Sequence, residues 1–259
     1  MELSRSDLWL FFAGALAASV NAAAGGGTLL SFPALLAAGL SPLAANVTST
    51  VGLLPGSFSS LAGYRRELRE LRVYVARTLF PAIVGGVFGA WLLLALGGAV
   101  FARIVPALLI GGSLLLLLQP LVSRLLLGKS SAAPGEKLSV IVLANLLISI
   151  YGGYFGAGMG ILFLAAMGML IQQPLGQVNA LKVFNTTITN LVGALTFVVL
   201  ELLHPTGALQ FRSAAPLACG AIFGGYFGVK LVRKLPSSVL RGFAAAVGVA
   251  IAIYIVVRR

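Results

Sequence analysis

The sequence predicts an all-α integral membrane protein with about eight hydrophobic segments in two inverted repeats, the first and fifth segments broken or re-entrant. Three observations predict it. Of 259 residues, 59% are hydrophobic and 9% charged, against about 25% charged in a soluble domain, and the mean hydropathy is +1.04. Apolar runs of at least the roughly 20 residues that a bilayer crossing needs alternate with short, mostly basic connections. Two of the runs carry glycine clusters, and Gly25 in the first cluster lies 133 positions before Gly158 in the second.

The runs fall near 8–40, 42–63, 73–97, 99–121, 138–172, 174–203, 213–232 and 238–257. The first opens MELSRSDLWLFF and continues well past the apolar core of a signal peptide, about 7 to 15 residues, so it is expected to be retained. It is too long for one crossing and is interrupted by Gly25, Gly26 and Gly27. The second run begins at Pro42, after Ser41, and contains NVTST at 46–50. The third carries GGVFG at 85–89, and the fourth precedes SRLLLGKSSAAPGEK at 123–137.

The fifth run, again too long for one crossing, reads NLLISIYGGYFGAGMGILFLAAMGMLI and is interrupted by Gly156, Gly158 and Gly160. The sixth contains NALKVFNTTITN at 179–190, the seventh GGYFG at 224–228, and the eighth closes the chain. Asn46 and Asn179 share the offset of 133 positions; the two GGxFG motifs are 139 apart. The division expected is an N-terminal repeat over 1–125, a basic cytoplasmic linker over 126–137 and a C-terminal repeat over 138–259.

Charge selects a topology. The connections YRRELRELR at 64–72, 123–137 and KLVRKLPSS at 230–238 are all basic. Single crossings throughout would put the first and last of these on opposite sides. Hairpins at the first and fifth runs put all three on the cytoplasmic side, as the positive-inside rule prefers. Each half then holds one hairpin and three crossings, and the odd number inverts the second half. The net charge of +12 is explained by this orientation, without nucleic acid. Cys219, the single cysteine, is expected to be a small packing residue.

Backbone away from helical geometry is tolerated at membrane depth where protein buries it or a wet cavity receives it. Inverted repeats with such breaks are common in secondary transporters, with the site at mid-membrane where the halves meet. Helices restarting after a break offer free N–H groups and a partial positive charge to anions. Asn46, Thr48, Ser49, Asn185, Thr186 and Asn190 could add neutral donors, and Lys182 is the one cation well inside a run. Arg77 and Arg103 lie near run ends, where snorkelling is expected. The GGxFG glycines are expected to serve helix packing. No carboxylate lies near the centre of a run, and no metal-ligand cluster, phosphate loop or nucleophile with its base is present. His204 and Glu201 fall at a predicted helix end.

The combination of AAAGGGTLLSFPALLAAGLSPLAANVTSTVG, YGGYFGAGMGILFLAAMGMLIQQPLGQVNALKVFNTT and the GGxFG pair resembles the TauE/SafE sulfite exporter family, over nearly the whole chain. The second copy departs from the first by lacking a counterpart of Pro33 and by placing Leu181 and Lys182 where the first has Thr48 and Ser49. The resemblance implies a multi-pass transporter in the bacterial cytoplasmic membrane that carries small sulfur-containing anions such as sulfite, sulfoacetate or other sulfonates, and needs no cofactor. The residues alone leave two other readings open, a passive anion channel and a non-transporting assembly protein.

Overall fold

The computed structural model describes residues 5–127, 138–232 and 237–257. Most of the expected linker, part of the basic stretch at 230–238, and Arg258 and Arg259 lie outside them. Ten helices and no strand occur among the described residues: α1 Arg5–Ala24, α2 Thr28–Ala37, α3 Pro42–Ala62, α4 Arg65–Glu70, α5 Arg72–Leu127, α6 Leu138–Tyr154, α7 Met159–Leu170, α8 Leu175–Leu203, α9 Phe211–Val232 and α10 Ser237–Val257. The first hydrophobic run becomes α1 and α2, the fifth α6 and α7. The third and fourth together form α5, whose two arms meet at Gly97 with φ 76° and ψ 171°. The basic stretch after α3 is not a plain loop, since six of its residues form α4.

Local chemistry sets these boundaries. At the end of α2 the Gly39 N–H bonds the Leu36 carbonyl and the Leu40 N–H reaches the Leu35 carbonyl, with Gly39 at φ 91°, the glycine-terminated helix end that left-handed backbone permits. Ser41 then caps α3, its hydroxyl accepting from the Ala44 N–H at 3.3 Å, with Pro42 in the first turn, where a missing N–H costs nothing. Prolines inside α2, α3, α5 and α9 suit helices whose freed carbonyls are covered by neighbours.

α5 over Arg72–Val122 and α8 over Leu175–Leu203 are long and apolar enough to cross a membrane. Large side chains such as Phe80, Leu125, Leu202 and Leu203 are exposed on them, while polar Thr78, Ser113 and Asn185 are buried alongside apolar Phe101 and Phe197; so many exposed large apolar side chains suit a lipid surround. Cys219 is exposed on α9, which corrects its expected packing role: the neighbouring Gly220, and not Cys219, meets α1 at the Phe11 carbonyl.

The halves exchange related contacts. α1 packs on α9, and α6 on the first arm of α5. Gly86 lies against Thr189 and Val192 of α8, while Gly225 lies against Gly56 and Ser59 of α3. Each of those partner pairs is related by the offset of 133 positions seen between Pro42 and Leu175, the starts of α3 and α8. Gly85 and Gly89 meet the Leu146 and Ile150 carbonyls, and Gly224 meets that of Ala15; Ser19 also donates to the Gly224 carbonyl at 3.2 Å. These five glycines, Gly85, Gly86, Gly89, Gly224 and Gly225, therefore bring helices into close contact, and van der Waals contact across such glycine faces is what holds membrane helices where water supplies no hydrophobic drive.

Candidate functional site

The two glycine breaks meet each other. Gly25 has φ 79° and so does Gly158, its counterpart in the other half; an L side chain in that region costs about 1–2 kcal/mol. After Gly25 the chain turns back, because Gly27 lies against the Ala17 carbonyl and the Cβ of Asn21, whereas in a continued helix Ala17 and Gly27 would be about 15 Å apart. A Cβ on Gly25 would stand 3.2 Å from the Gly160 Cα, and one on Gly160 would stand 3.3 Å from the Gly25 Cα. The backbones touch at a point where no side chain intervenes.

That contact has an electrostatic consequence. Gly160 is the second residue of α7, and Gly25 stands three residues before α2, so the N-terminal ends of both short helices converge. Neither end is capped by a side chain. Each carries the equivalent of about half a positive charge. Lys182 of α8 joins them: its Cδ is 3.3 Å from the Cβ position of Gly160, the residue is 2% exposed, and its Nζ has no protein hydrogen-bond partner. It does not snorkel. The six acidic residues of the chain are Glu2, Asp7, Glu67, Glu70, Glu136 and Glu201; among those described, Asp7, Glu67 and Glu70 lie on the first turn of α1 and on α4, and Glu201 near the end of α8, so none balances this charge.

Around the joint the halves differ. In the first, Ser31 and Ser49 share a hydrogen bond at 2.6 Å, and the Ser31 hydroxyl also reaches the Gly27 carbonyl at 3.4 Å. Lys182 occupies the position related to Ser49, and Gly160 that related to Gly27, so a hydroxyl pair on one side answers an ammonium on the other. Asn46 crosses between halves: its amide donates to the Tyr154 carbonyl at the end of α6 at 3.0 Å, while its Oδ1 and the Tyr154 hydroxyl lack protein partners. Tyr151 closes the second break by donating to the Ala157 carbonyl.

Other expected donors are engaged. The Thr48 hydroxyl accepts the Gln210 N–H at 3.1 Å, one residue before α9. Asn185 donates to the Thr78 hydroxyl and the Leu181 carbonyl, both at 3.0 Å, and its Oδ1 accepts from Asn145 at 3.1 Å; Asn145 also donates to the Thr78 carbonyl at 2.7 Å. This network ties α5, α6 and α8. Thr186 is half-buried and bonded to the Val183 carbonyl at 3.1 Å, and Asn190 is half-buried two turns beyond Lys182. Gly156 at φ 80° and Gly158 shape the second break, and Gly26 packs on Leu116. Asn179 bonds the Tyr64 hydroxyl at 3.0 Å, away from Asn46's role despite their matching positions.

Two features escaped the sequence reading. Thr78 and Asn145, polar residues inside apolar runs, carried the same signal as Asn185 but had no motif to mark them. Glu201 takes up the backbone N–H groups of Thr206 and Gly207 and the Thr206 hydroxyl at 2.6–3.0 Å, fixing the turn that leads to Gln210 and hence to Thr48. No group of three or more metal-ligating side chains occurs among the described residues.

The profile of the family described as "Sulfite exporter TauE/SafE" matches residues 10–255. The chain is 28% identical over 237 residues, 90% of its length and 82% of the relative's, to the probable membrane transporter protein YfcA of Escherichia coli strain K12. It is 29% identical over 238 residues to a probable membrane transporter protein of Haemophilus influenzae, covering 90% and 87% of the two chains. To the probable membrane transporter protein ORF9 of a Sinorhizobium species it is 27% identical over 249 residues, 95% and 90% of the two. No solved structure matches the chain. The chain belongs to the sulfite exporter TauE/SafE family, and the three relatives above are each described as a probable membrane transporter.

Proposed function

We propose that this member of the family is a secondary transporter of small sulfur-containing anions, such as sulfite, sulfoacetate or other organosulfonates, across the bacterial cytoplasmic membrane. The observation that carries the reading is the partnerless Lys182 Nζ, buried beside Gly160 where the N-terminal ends of α2 and α7 converge. A cation and two helix ends of the same sign repel one another, and an oxyanion at the joint would relieve that repulsion while accepting charge-assisted hydrogen bonds.

In this reading α1–α2 and α6–α7 are hairpins that enter and leave the bilayer from one side, and the halves are inverted relative to each other. Gly25, Gly26, Gly27, Gly156, Gly158 and Gly160 let substrate approach the backbone; Lys182 balances its charge. Asn46 and Ser49 supply neutral donors. Thr186 and Asn190 line the same helix, and Thr48 and Asn185 position α9 and α8. The halves rock about the Gly25–Gly160 contact to alternate access, and the basic ends at 64–72 stay cytoplasmic.

Purified protein in proteoliposomes, assayed with labelled sulfite and sulfoacetate, tests this. Saturable uptake accelerated by unlabelled substrate on the opposite side is expected. Flux that rises linearly with concentration, with no trans-stimulation, would identify a passive channel instead, and absence of any anion flux from folded protein would sink the transport reading.

A further inference from the structure

Away from the joint, α3, α4, the first arm of α5 and α8 border a groove of about 810 Å³. Phe58, Leu61, Leu79 and Phe184 give it an apolar floor, and Arg65, Arg69 and Arg72 line it from α4 and the start of α5. The arginines sit at the helix connection, and Leu79 lies seven residues, about 10 Å, further along α5. The groove is therefore cationic at its outer end and greasy inward.

It is not a path to Lys182. Phe184 follows Lys182 by two residues, which places it about 200° around α8, so the groove opens on the face opposite the joint. Among the described residues none of the three arginines is ion-paired, although Arg66 beside them is held by Glu70 at 3.7 Å. Arg65, Arg69 and Arg72 are exposed. A free inorganic anion would use the arginines and leave the apolar floor unexplained; a zwitterionic lipid would bring its own ammonium up to them.

We propose that this groove binds an anionic phospholipid, its acyl chain along the floor and its phosphodiester bridged by Arg65, Arg69 and Arg72. The connection carrying these arginines is basic, as expected of a cytoplasmic end, and basic pockets between helices on that side suit acidic headgroups. Such a lipid would brace α4 between α3 and α5, independently of what the central joint transports.

The test is lipid retention measured by native mass spectrometry of the whole protein in detergent, titrated with phosphatidylglycerol and phosphatidylcholine. Wild type is expected to prefer phosphatidylglycerol. The triple variant Arg65→Gln/Arg69→Gln/Arg72→Gln should lose about a hundredfold of that preference, at roughly fivefold per arginine. Ala76→Trp, which fills the groove from an exposed lining position and leaves the charge intact, should weaken retention of both lipids at least tenfold. An unchanged preference in the triple variant, unchanged retention in Ala76→Trp, or displacement of the lipid by inorganic phosphate would each overturn the proposal. Because the readout is lipid bound per folded particle, a variant of lower yield is still informative.

Discussion

Replacing Lys182 with methionine should stabilise the protein and abolish anion binding together. The methionine keeps most of the stem that lies 3.3 Å from the Gly160 Cβ position, so packing at the joint is retained. What it removes is an amine that is 2% exposed and without a protein partner. Burying a polar group without a hydrogen bond costs about 1–3 kcal/mol by mutational measures, and the repulsion from two helix N-termini adds to this. Lys182→Met is therefore expected to gain about 1–3 kcal/mol in anion-free detergent, roughly 2–12 °C in melting temperature at 2–4 °C per kcal/mol for a chain of this size. Wild type should recover the difference when sulfite is added, because a ligand selective for the native state raises apparent stability; the variant should show no sulfite-dependent shift. Differential scanning fluorimetry with and without sulfite reads both. A variant less stable than wild type without anion, or one that still responds to sulfite, would refute the reasoning that the ammonium is an uncompensated charge awaiting a guest.

Gly25→Ala places a side chain at φ 79° and 3.2 Å from the Gly160 Cα, so a loss of at least about 1–2 kcal/mol is expected, with flux per folded molecule falling more than stability alone explains; parallel melting and proteoliposome assays separate the two. Asn46→Ala leaves the Tyr154 carbonyl without its 3.0 Å donor and should cost about 1–3 kcal/mol, read as a lowered melting temperature. Thr78→Val removes the hydroxyl that receives Asn185. It should cost on the order of 0.6 kcal/mol, and up to about 2 kcal/mol, and leave the Michaelis constant for sulfite unchanged, since that network ties helices and touches no substrate. Gly86→Leu and Gly225→Leu collide with α8 and α3 in related ways and should reduce folded yield on size-exclusion chromatography to a similar degree; a large difference between them would argue against equivalent packing in the two halves.

The hydrophobic runs, the two glycine interruptions and the packing role of the GGxFG glycines were legible because each depends on residue type within a short window. Lys182 was legible for the same reason, as a cation deep in an apolar run. The partners of the polar residues were not. Asn185 reads as a free donor beside Lys182, yet its amide hydrogens are spent on Thr78, 107 residues away, and on Leu181, and the Thr48 hydroxyl is held as the acceptor of the Gln210 N–H, 162 residues away. Spacing along a helix tells which residues share a face and says nothing of what that face meets. The contact of Gly25 with Gly160 was similarly hidden, since glycine has no side chain by which to advertise a neighbour. Asn46 and Asn179 match in position but differ in bonding, because Tyr64, which Asn179 binds, and Tyr154, which Asn46 binds through its carbonyl, are unrelated parts of the chain.

The pairing of Ser49 with Lys182 at related positions has a consequence for energetics. Two duplicates with identical linings would give the inward-open and outward-open forms the same free energy by construction, and the resting protein would divide itself evenly between the two sides. One aminobutyl group opposite one hydroxymethyl group lifts that degeneracy. In a carrier that alternates access as proposed above, the empty form would then take a preferred orientation, to which Ser49 and Lys182 contribute alongside other differences between the halves such as Thr48 against Leu181, and exchanging Ser49 and Lys182 would shift that preference.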